Sequence, residues 1–426
     1  MLIQSSLHSC SFNPHVDGTA ADTLSTDSGR KYKAQLALIL RRFFSSPMPR
    51  FFFCWWKFLL FPIFPFFSLF PLLLHQTSEP PSESREAREV MMAPRPKTVL
   101  LWTPWWGNRN KRQGRDWHLG ENPFANCPVN RCTITANKEE QPVHMHDAIL
   151  FHSWDLFQFD MRMPEKRSDF QRYILFSIEP IQNCGGLSDW EYAALGDFFN
   201  ATASFRNDAD IVVPYGRLER IEDRGREEEE NSGSAWESDL LSKKSRSVLF
   251  VTSHCVTDSD REGVAMRLNK TIDIDFRGGC ASEWDPRVRG GHKDRHRHGT
   301  QMNVELYYFY LAFENSICED YVTEKFFDAM AANVVPVVFG GARYSRIAPA
   351  HSFINVQDFP NEDAVGVYLQ HLIDNPKEYQ EYFWWKAYYR VVGVGDSSLT
   401  MDRIPPSFPC SLCAQLHSNN QPKQYR

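Results

Sequence analysis

The densest set of chemically capable groups lies in residues 307–341, YYFYLAFENSICEDYVTEKFFDAMAANVVPVVFGG. Glu314, Asn315 and Ser316 end an apolar run, and a helix is predicted from near Thr323, with Phe326, Phe327 and Met330 spaced to face a core. Glu324 and Lys325 fall in its first turn. A helix N-terminus with a lysine beside it suits a diphosphate, because backbone N–H groups and an ammonium both meet anionic oxygens there. A carboxylate in the same place can accept two hydrogen bonds from a ribose diol. The same spacing also describes a helix cap with an exposed Glu-Lys pair. Upstream, Glu179 stands at the end of an apolar strand, directly before Pro180, a place where a carboxylate is usually a solvated turn residue.

Other groups carry less. Asp208/Asp210, Asp258/Asp260 and Asp273/Asp275 are Asp-x-Asp pairs of the kind that can hold a divalent cation and a nucleotide diphosphate. His292, His296 and His298 lie in GGHKDRHRHG with no Cys or carboxylate spacing to complete a metal site, so they read as a solvated basic loop. His144 and His146 read as loop residues. Phe383, Trp384, Trp385, Tyr388 and Tyr389 are at helical spacing and suit a core, whereas Trp105 and Trp106 lie in a loop where a sugar could stack.

The elements that must position these groups alternate. Apolar strands are predicted at 97–101, 147–152, 173–178 and 210–215, and again at 247–251, 272–276, 306–313 and 334–339. Residues 221–235, IEDRGREEEENSGSA, are a charged, Gly/Ser-containing linker between the two sets. Strand-helix-strand order on both sides predicts two α/β units with parallel sheets, facing each other across a ligand cleft.

The 426 residues suffice for two or three domains. The net charge of −6 argues against a nucleic-acid binder, and 42% hydrophobic content argues against a mostly disordered chain. Residues 51–74, FFFCWWKFLLFPIFPFFSLFPLLL, carry one charge, Lys57, and approach the ~20 residues that span a bilayer. Lys31, Lys33, Arg41, Arg42 and Arg50 precede them, and Glu79, Glu83 and Glu86 follow, so the positive-inside rule places the N-terminus in the cytosol. The expected layout is a disordered cytosolic tail (1–50), a transmembrane signal anchor (51–74) and a Pro/Ser/Glu-rich stem (75–96). An acceptor-side α/β domain (97–235), a nucleotide-side α/β domain (236–400) and a Cys-containing tail (401–426) follow. Lumenal placement would make the sequons at Asn200 and Asn269 glycosylation candidates.

FENSICEDYVTEKFFDAM followed by VVPVVFGG resembles the donor-site signature of the α1,3-fucosyltransferases, glycosyltransferase family 10. Further blocks are similar to the family in the expected order: CPVNRC before HDAILFH, ILFSIEP, FNATASFRNDADIVVPYG, VTSHCVTDSDRE and CSLC. The resemblance covers roughly 97–425. It implies a GT-B-like fold, two Rossmann-like domains facing a cleft after one N-terminal anchor, and inverting transfer of L-fucose from GDP-β-L-fucose to O3 of a GlcNAc in glycoprotein N-glycans. The Cys-x₄-Cys block and FENSICEDYVTEKFF look closer to the core-type enzymes of invertebrates and plants. An antennal Lewis-type acceptor is the alternative, and an inactive membrane-anchored glycan-binding protein is the alternative of another class.

The resemblance also implies residue roles. Glu179 matches the general base, Arg261 and Lys325 the diphosphate contacts, and Glu324 the ribose contact. Glu314, Asn315 and Tyr321 line the same donor pocket. The family's block usually has a Ser between the Glu and the Pro, which this chain lacks. With two cations at the diphosphate, no cofactor or metal is required, Mn²⁺ or Mg²⁺ being at most stimulatory. The implied setting is the Golgi membrane, single-pass type II, with the catalytic part in the lumen. The implied partners are GDP-fucose and a glycoprotein glycan, and the oligomeric state is left open. The family bridges cysteines in both the Cys127/Cys132 and Cys410/Cys413 regions. Each close pair could bridge locally, or the pairs could cross-link the tail to the first domain, which a returning final segment favours.

Overall fold

The computed structural model describes residues 10–11, 95–104, 122–158, 163–184, 198–221, 240–285, 303–392 and 408–418. The apolar run 51–74, the stem up to residue 94, Trp105, Trp106, the His292–His298 loop and most of the acidic linker lie outside them. No helix among the described residues is long and apolar enough to cross a membrane.

In chain order the elements are β1 (Cys10–Ser11), β2 (Lys97–Leu101), β3 (Cys132–Thr135), β4 (Ala148–His152), α1 (Ser153–Gln158), β5 (Arg172–Ser177), β6 (Ala201–Ser204), β7 (Ile211–Val212) and β8 (Arg217–Arg220). Then come β9 (Arg246–Val251), α2 (Arg261–Leu268), β10 (Ile274–Arg277), α3 (Ala281–Trp284), β11 (Tyr307–Phe313), β12 (Ile317–Cys318), α4 (Glu324–Ala331), β13 (Val335–Phe339) and β14 (Ile354–Asn355). The chain continues through α5 (Glu362–Asp374), α6 (Pro376–Gln380), β15 (Tyr389–Val392) and α7 (Phe408–His417).

Two parallel sheets carry the fold. The first has the order β3-β2-β4-β5-β6-β7 and the second β10-β9-β11-β13-β14, with every neighbouring pair parallel. Parallel strands need long crossovers that cover both faces, so their strands read as unbroken apolar runs. AILFH of β4, RYILFS of β5 and VPVVF of β13 are buried along their whole length. The α/β reading with parallel sheets therefore holds. Met1–Asp17 and Pro96–Arg426 form one compact unit that contains both sheets.

Later segments return to the first half of the chain. β15 pairs antiparallel with β8, matching Tyr389 to Arg220 and Val392 to Arg217. Phe408, Leu412, Cys413 and Leu416 of α7 share a core with Val99, Leu150, Ile174 and Phe176. Disulfides fix that helix: Cys127 bonds Cys410 and Cys132 bonds Cys413, so the cross-linked arrangement is the one present. Cys255 bonds Cys280 within the second sheet's loops.

A fourth bond joins Cys10 to Cys318, where β1 pairs antiparallel with β12. Residue 10 belongs to the segment expected in the cytosol, whereas residue 318 belongs to the nucleotide half. One membrane span between them would place the two sulfurs on opposite sides. Single-pass insertion through 51–74 and the Cys10–Cys318 bond are therefore mutually exclusive.

Candidate active site

Glu179 leaves the end of β5 and is held from two directions. Residues of the first sheet's half fix its backbone. Ser177 Oγ donates to the Glu179 carbonyl at 2.7 Å, and Ser153 Oγ donates to Ser177 Oγ at 2.8 Å. Tyr215 Oη donates to the Ile178 carbonyl at 2.7 Å. Residues of the other half fix its carboxylate. Tyr321 Oη and Asn315 Nδ2 both donate to Glu179 Oε2, at 2.8 and 3.2 Å. Glu179 is thus not the solvated turn residue that strand-end position alone suggests.

Further contacts close the seam around it. Asn183 Nδ2 donates to Ser316 Oγ at 3.0 Å, and the Asn207 backbone N–H donates to Asp320 Oδ2 at 3.0 Å. The Phe205 and Tyr321 rings lie 4.8 Å apart. Gly216 lets the Phe327 ring of α4 reach the chain between β7 and β8, because a Cβ there would sit 2.6 Å from that ring. Burial, reinforced by the Glu179 charge, pushes the Tyr215 and Tyr321 phenols well above their usual range. Both therefore remain protonated donors near neutral pH.

The residues expected to line the donor pocket fall into three groups. Asn315 and Tyr321 reach Glu179, as above. Glu314 turns inward: it is 0% exposed and accepts from the Thr323 backbone N–H at 2.8 Å and from Thr323 Oγ1 at 3.1 and 2.9 Å. It therefore caps α4 from the end of β11, and burial pushes its carboxyl up to about 7. The Thr323 N–H, expected to be open to a diphosphate, is occupied by that carboxylate. Glu314 thus braces the N-terminus of α4 from the end of β11.

Glu324 and Lys325 form the third group. Lys325 Nζ donates to Glu324 Oε1 at 2.9 Å and to Thr323 Oγ1 at 3.0 Å, and the two side chains retain 23% and 15% exposure. Burial alone would push Glu324 up and Lys325 down. Their attraction outweighs it, holding Glu324 below the usual carboxylate range and Lys325 above the usual ammonium range. Both stay charged, which suits a cation for a diphosphate and an acceptor for a diol.

Arg261, the other expected diphosphate contact, opens α2 and is 3% exposed. Its Nη1 donates to the Phe313 carbonyl at 3.0 Å and its Nη2 to Thr252 Oγ1 at 2.7 Å. Its Nε lacks a partner among the described residues. Asn315 Oδ1 and the Tyr344 hydroxyl are likewise buried without one. Gly278, at φ +92°, lets the turn after β10 approach Thr252, because a Cβ there would lie 2.3 Å from the Thr252 carbonyl oxygen. Sequence reasoning missed Thr252, Ser177, Ser153 and Tyr215, and Ser259, whose Oγ donates to the Glu314 carbonyl at 2.7 Å. Most of them act on residues brought near only by the fold, and a serine two residues before Glu179 gives no distinctive signal.

The Asp-x-Asp pairs serve the scaffold. Asp208 forms a two-point ion pair with Arg206, and Asp210 accepts from the Thr202 backbone N–H at 2.9 Å. Asp275 is bound by Arg246 and Tyr307, and Asp260 by Arg267. The sequons differ from one another. Asn200 bridges strands, its Oδ1 accepting from Tyr173 N at 2.7 Å and its Nδ2 donating to the Gln171 carbonyl at 3.0 Å. Asn269 is exposed at the end of α2.

Residues 241–426 match the model described as glycosyltransferase family 10 (fucosyltransferase) C-term, and residues 94–216 match that of fucosyltransferase, N-terminal. The chain is 34% identical over 342 residues to alpha-(1,3)-fucosyltransferase C of Drosophila melanogaster, covering 75% of this chain and 73% of that one. It is 29% identical over 348 residues to glycoprotein 3-alpha-L-fucosyltransferase A of the same organism, covering 79% and 60%. It is 35% identical over 266 residues to 3-galactosyl-N-acetylglucosaminide 4-alpha-L-fucosyltransferase FUT3 of Homo sapiens, covering 61% and 66%. A crystal structure described as alpha1,3-fucosyltransferase with GDP-fucose aligns at TM-score 0.45 and 15% identity, covering 82% of this chain and 96% of that one.

Proposed function

The chain belongs to glycosyltransferase family 10, the fucosyltransferases, and from that premise we propose that it transfers L-fucose from GDP-β-L-fucose to O3 of a GlcNAc in glycoprotein N-glycans. The observation that carries the reading is the position of Glu179. Its carboxylate stands on the seam between the halves, held by Tyr321 and Asn315, in the same region as Glu324 and Lys325. Transfer to a hydroxyl needs a base and a fixed cation in one place, and this arrangement supplies both.

In this reading Glu179 takes the proton of the acceptor hydroxyl as its oxygen attacks fucose C1, with inversion there. General-base help of that kind contributes roughly 10²–10⁴-fold. The sugar passes through an oxocarbenium-like transition state. The C1–O bond to GDP breaks, its electron pair leaves with the diphosphate, and Lys325 meets the growing negative charge. Glu324 accepts from the ribose diol. Arg261 acts through its Nε, the rest of its guanidinium being committed to Phe313 and Thr252. No metal or other cofactor is assigned a role.

The core GlcNAc is the favoured acceptor, in line with the glycoprotein fucosyltransferase among the relatives; the FUT3 relative supports an antennal acceptor as the second reading. We place the protein at the Golgi membrane with both sheets in the lumen, an oxidising compartment where the Cys127–Cys410, Cys132–Cys413 and Cys255–Cys280 bonds can form. Lys325→Ala should weaken GDP binding by about 1.5–3 kcal/mol, the scale of a hydrogen bond to a charged group. Unchanged GDP affinity by calorimetry would remove α4 from the donor site.

A further inference from the structure

The turn after β6 and the loop before α4 meet beside Glu179. Ser177 of β5 pairs with Ser204 of β6, so residues 205–208 leave the first sheet at the same edge as Glu179. From the other half come Glu319 and Asp320, directly before Tyr321. Phe205, with Tyr215 packed against it, meets Cys318 and Tyr321 in a small apolar cluster across the seam. Apolar contact is non-directional, so such a cluster draws the halves together without fixing their register. A polar rim adds direction. The Asn207 backbone N–H donates to Asp320 Oδ2 at 3.0 Å. Beside it Arg206, gripped at two points by Asp208, has Nη2 4.0 Å from Glu319 Oε2, and Arg343 Nη2 lies 3.6 Å from Glu319 Oε1. Asp320 makes its bond from φ 63°, in the left-handed region that costs a side chain free energy and that Asp and Asn tolerate better than most. Gly341 supports the loop from beneath, since a Cβ there would lie 2.7 Å from the Cys318 backbone.

We propose that Asp320 is a positioning residue for the transfer: its carboxylate latches the Asn207 N–H of the other half and so sets how the donor-side loop, with Asn315 and Tyr321, meets Glu179. This rests on the reading of Glu179 as the base and of that loop as part of the donor pocket. The loop's own half fixes its ends, through Glu314 and Thr323, and its floor, through Gly341. Neither contact reaches the first sheet. Asp320 spans that gap one residue from Tyr321. Its partner is a backbone N–H, which cannot swing away as a side chain can, and a hydrogen bond weakens steeply when its angle is lost. The position of the turn after β6, and with it the end of β5, is thereby passed to the donor-side loop. Proton abstraction and attack at C1 need the reacting groups held to within about half an ångström, and a directional bond at the rim supplies that register where the apolar cluster does not. A residue persists in the left-handed region only where surrounding contacts over-determine it, and the cross-seam bond is one contact that offsets the strain at Asp320.

The test uses two substitutions at one position. Asp320→Gly removes the acceptor and adopts the same φ without strain, whereas Asp320→Asn keeps an acceptor oxygen and the tolerance for that φ. Both are compared with the unaltered full chain in three measurements: hydrogen exchange of the peptide containing Asn207, GDP affinity by calorimetry, and turnover with GDP-fucose and an N-glycan. Asp320→Gly should speed exchange at Asn207 and lower kcat about fivefold, the scale of one solvent-exposed hydrogen bond, with GDP affinity within about threefold of the original. Asp320→Asn should restore most of the protection and most of kcat. Unchanged exchange in Asp320→Gly, or a kcat within about twofold of the original, overturns the proposal. A fall in GDP affinity larger than the fall in kcat also overturns it, because Asp320 would then act within the donor half alone. So does an Asp320→Asn variant that falls as far as Asp320→Gly, because the charge and not the bond would then be what matters. Glu179→Gln separates the two levels. If it is inactive while Asp320→Gly keeps its kcat, only the latch fails; if it turns over normally, the base assignment falls and the positioning role with it.

Discussion

The Glu314 carboxylate and the Thr323 backbone N–H lie 2.8 Å apart, so a strand-end acid caps the helix that carries Glu324 and Lys325. The N–H and the hydroxyl of one threonine, the latter within reach of both carboxylate oxygens, hold a side chain that is completely buried. The loop between them, residues 315–322, is thereby pinned at both ends, and it contains Asn315 and Tyr321. A residue whose type suggests ligand contact instead sets the geometry of those that can make it.

That relationship gives a stability prediction. Glu314→Ala strands a buried N–H and hydroxyl and should cost about 1–3 kcal/mol for each unmet group. The folded carboxyl, pushed up to about 7 against an ordinary 4.5, binds a proton that the unfolded one has released between those values. Its contribution is thus fully present below pH 4.5 and is lost as the pH rises through 7. Glu314→Gln removes that dependence. Urea midpoints of the two proteins should therefore converge in favour of the variant from pH 5 to pH 7; parallel curves would contradict the buried titration.

The cysteine bridges should be strongly non-additive. Cys127–Cys410 and Cys132–Cys413 span 283 and 281 residues and close nearly the same loop. In the chain-entropy account the first contributes about 5 kcal/mol and the second, closing only the small ring that remains, roughly half of that. Replacing either pair by Ala should cost much less than half the loss from replacing both. Equal, additive losses in denaturant would contradict this.

Residue 10 tests the topology. The Cys10–Cys318 bond predicts that a tag at the N-terminus is protected from protease in sealed microsomes, together with the catalytic half. Cleavage of the tag from outside would show a cytosolic tail and a Cys318 without this partner.

The sequons should part company. Asn269 is predicted to carry a glycan, whereas Asn200, whose amide bridges Tyr173 and Gln171, is predicted to carry none. Asn269→Gln should abolish the mobility shift on enzymatic deglycosylation, and Asn200→Gln should leave that shift intact while lowering Tm. A shift lost only in the Asn200 variant would contradict the strand-bridging role.

Much of the frame was legible because parallel sheets impose unbroken apolar runs. RYILFS and VPVVF announce buried strands, and EKFFDAM announces α4 by its spacing. Short or edge strands such as CTIT and RLER carried too little pattern to be read, and α7 was hidden within a Cys-containing tail whose partner core lies about 280 residues away. The site was legible by residue type and not by role. Glu314 and Arg261 look like ligands in sequence, and their bonds to Thr323, Phe313 and Thr252 could not be read there, because burial is set by packing that local spacing does not encode.

The central claim is fucosyl transfer with Glu179 as the base. Its most direct measurement is incubation of the full chain with GDP-fucose and defined N-glycans, followed by linkage analysis, with Glu179→Gln in parallel. The account predicts fucose α-linked to O3 of a GlcNAc and a fall of at least ~10² in turnover for the variant, with GDP binding retained. No fucosylated product, or near-unaltered turnover by Glu179→Gln, would contradict it.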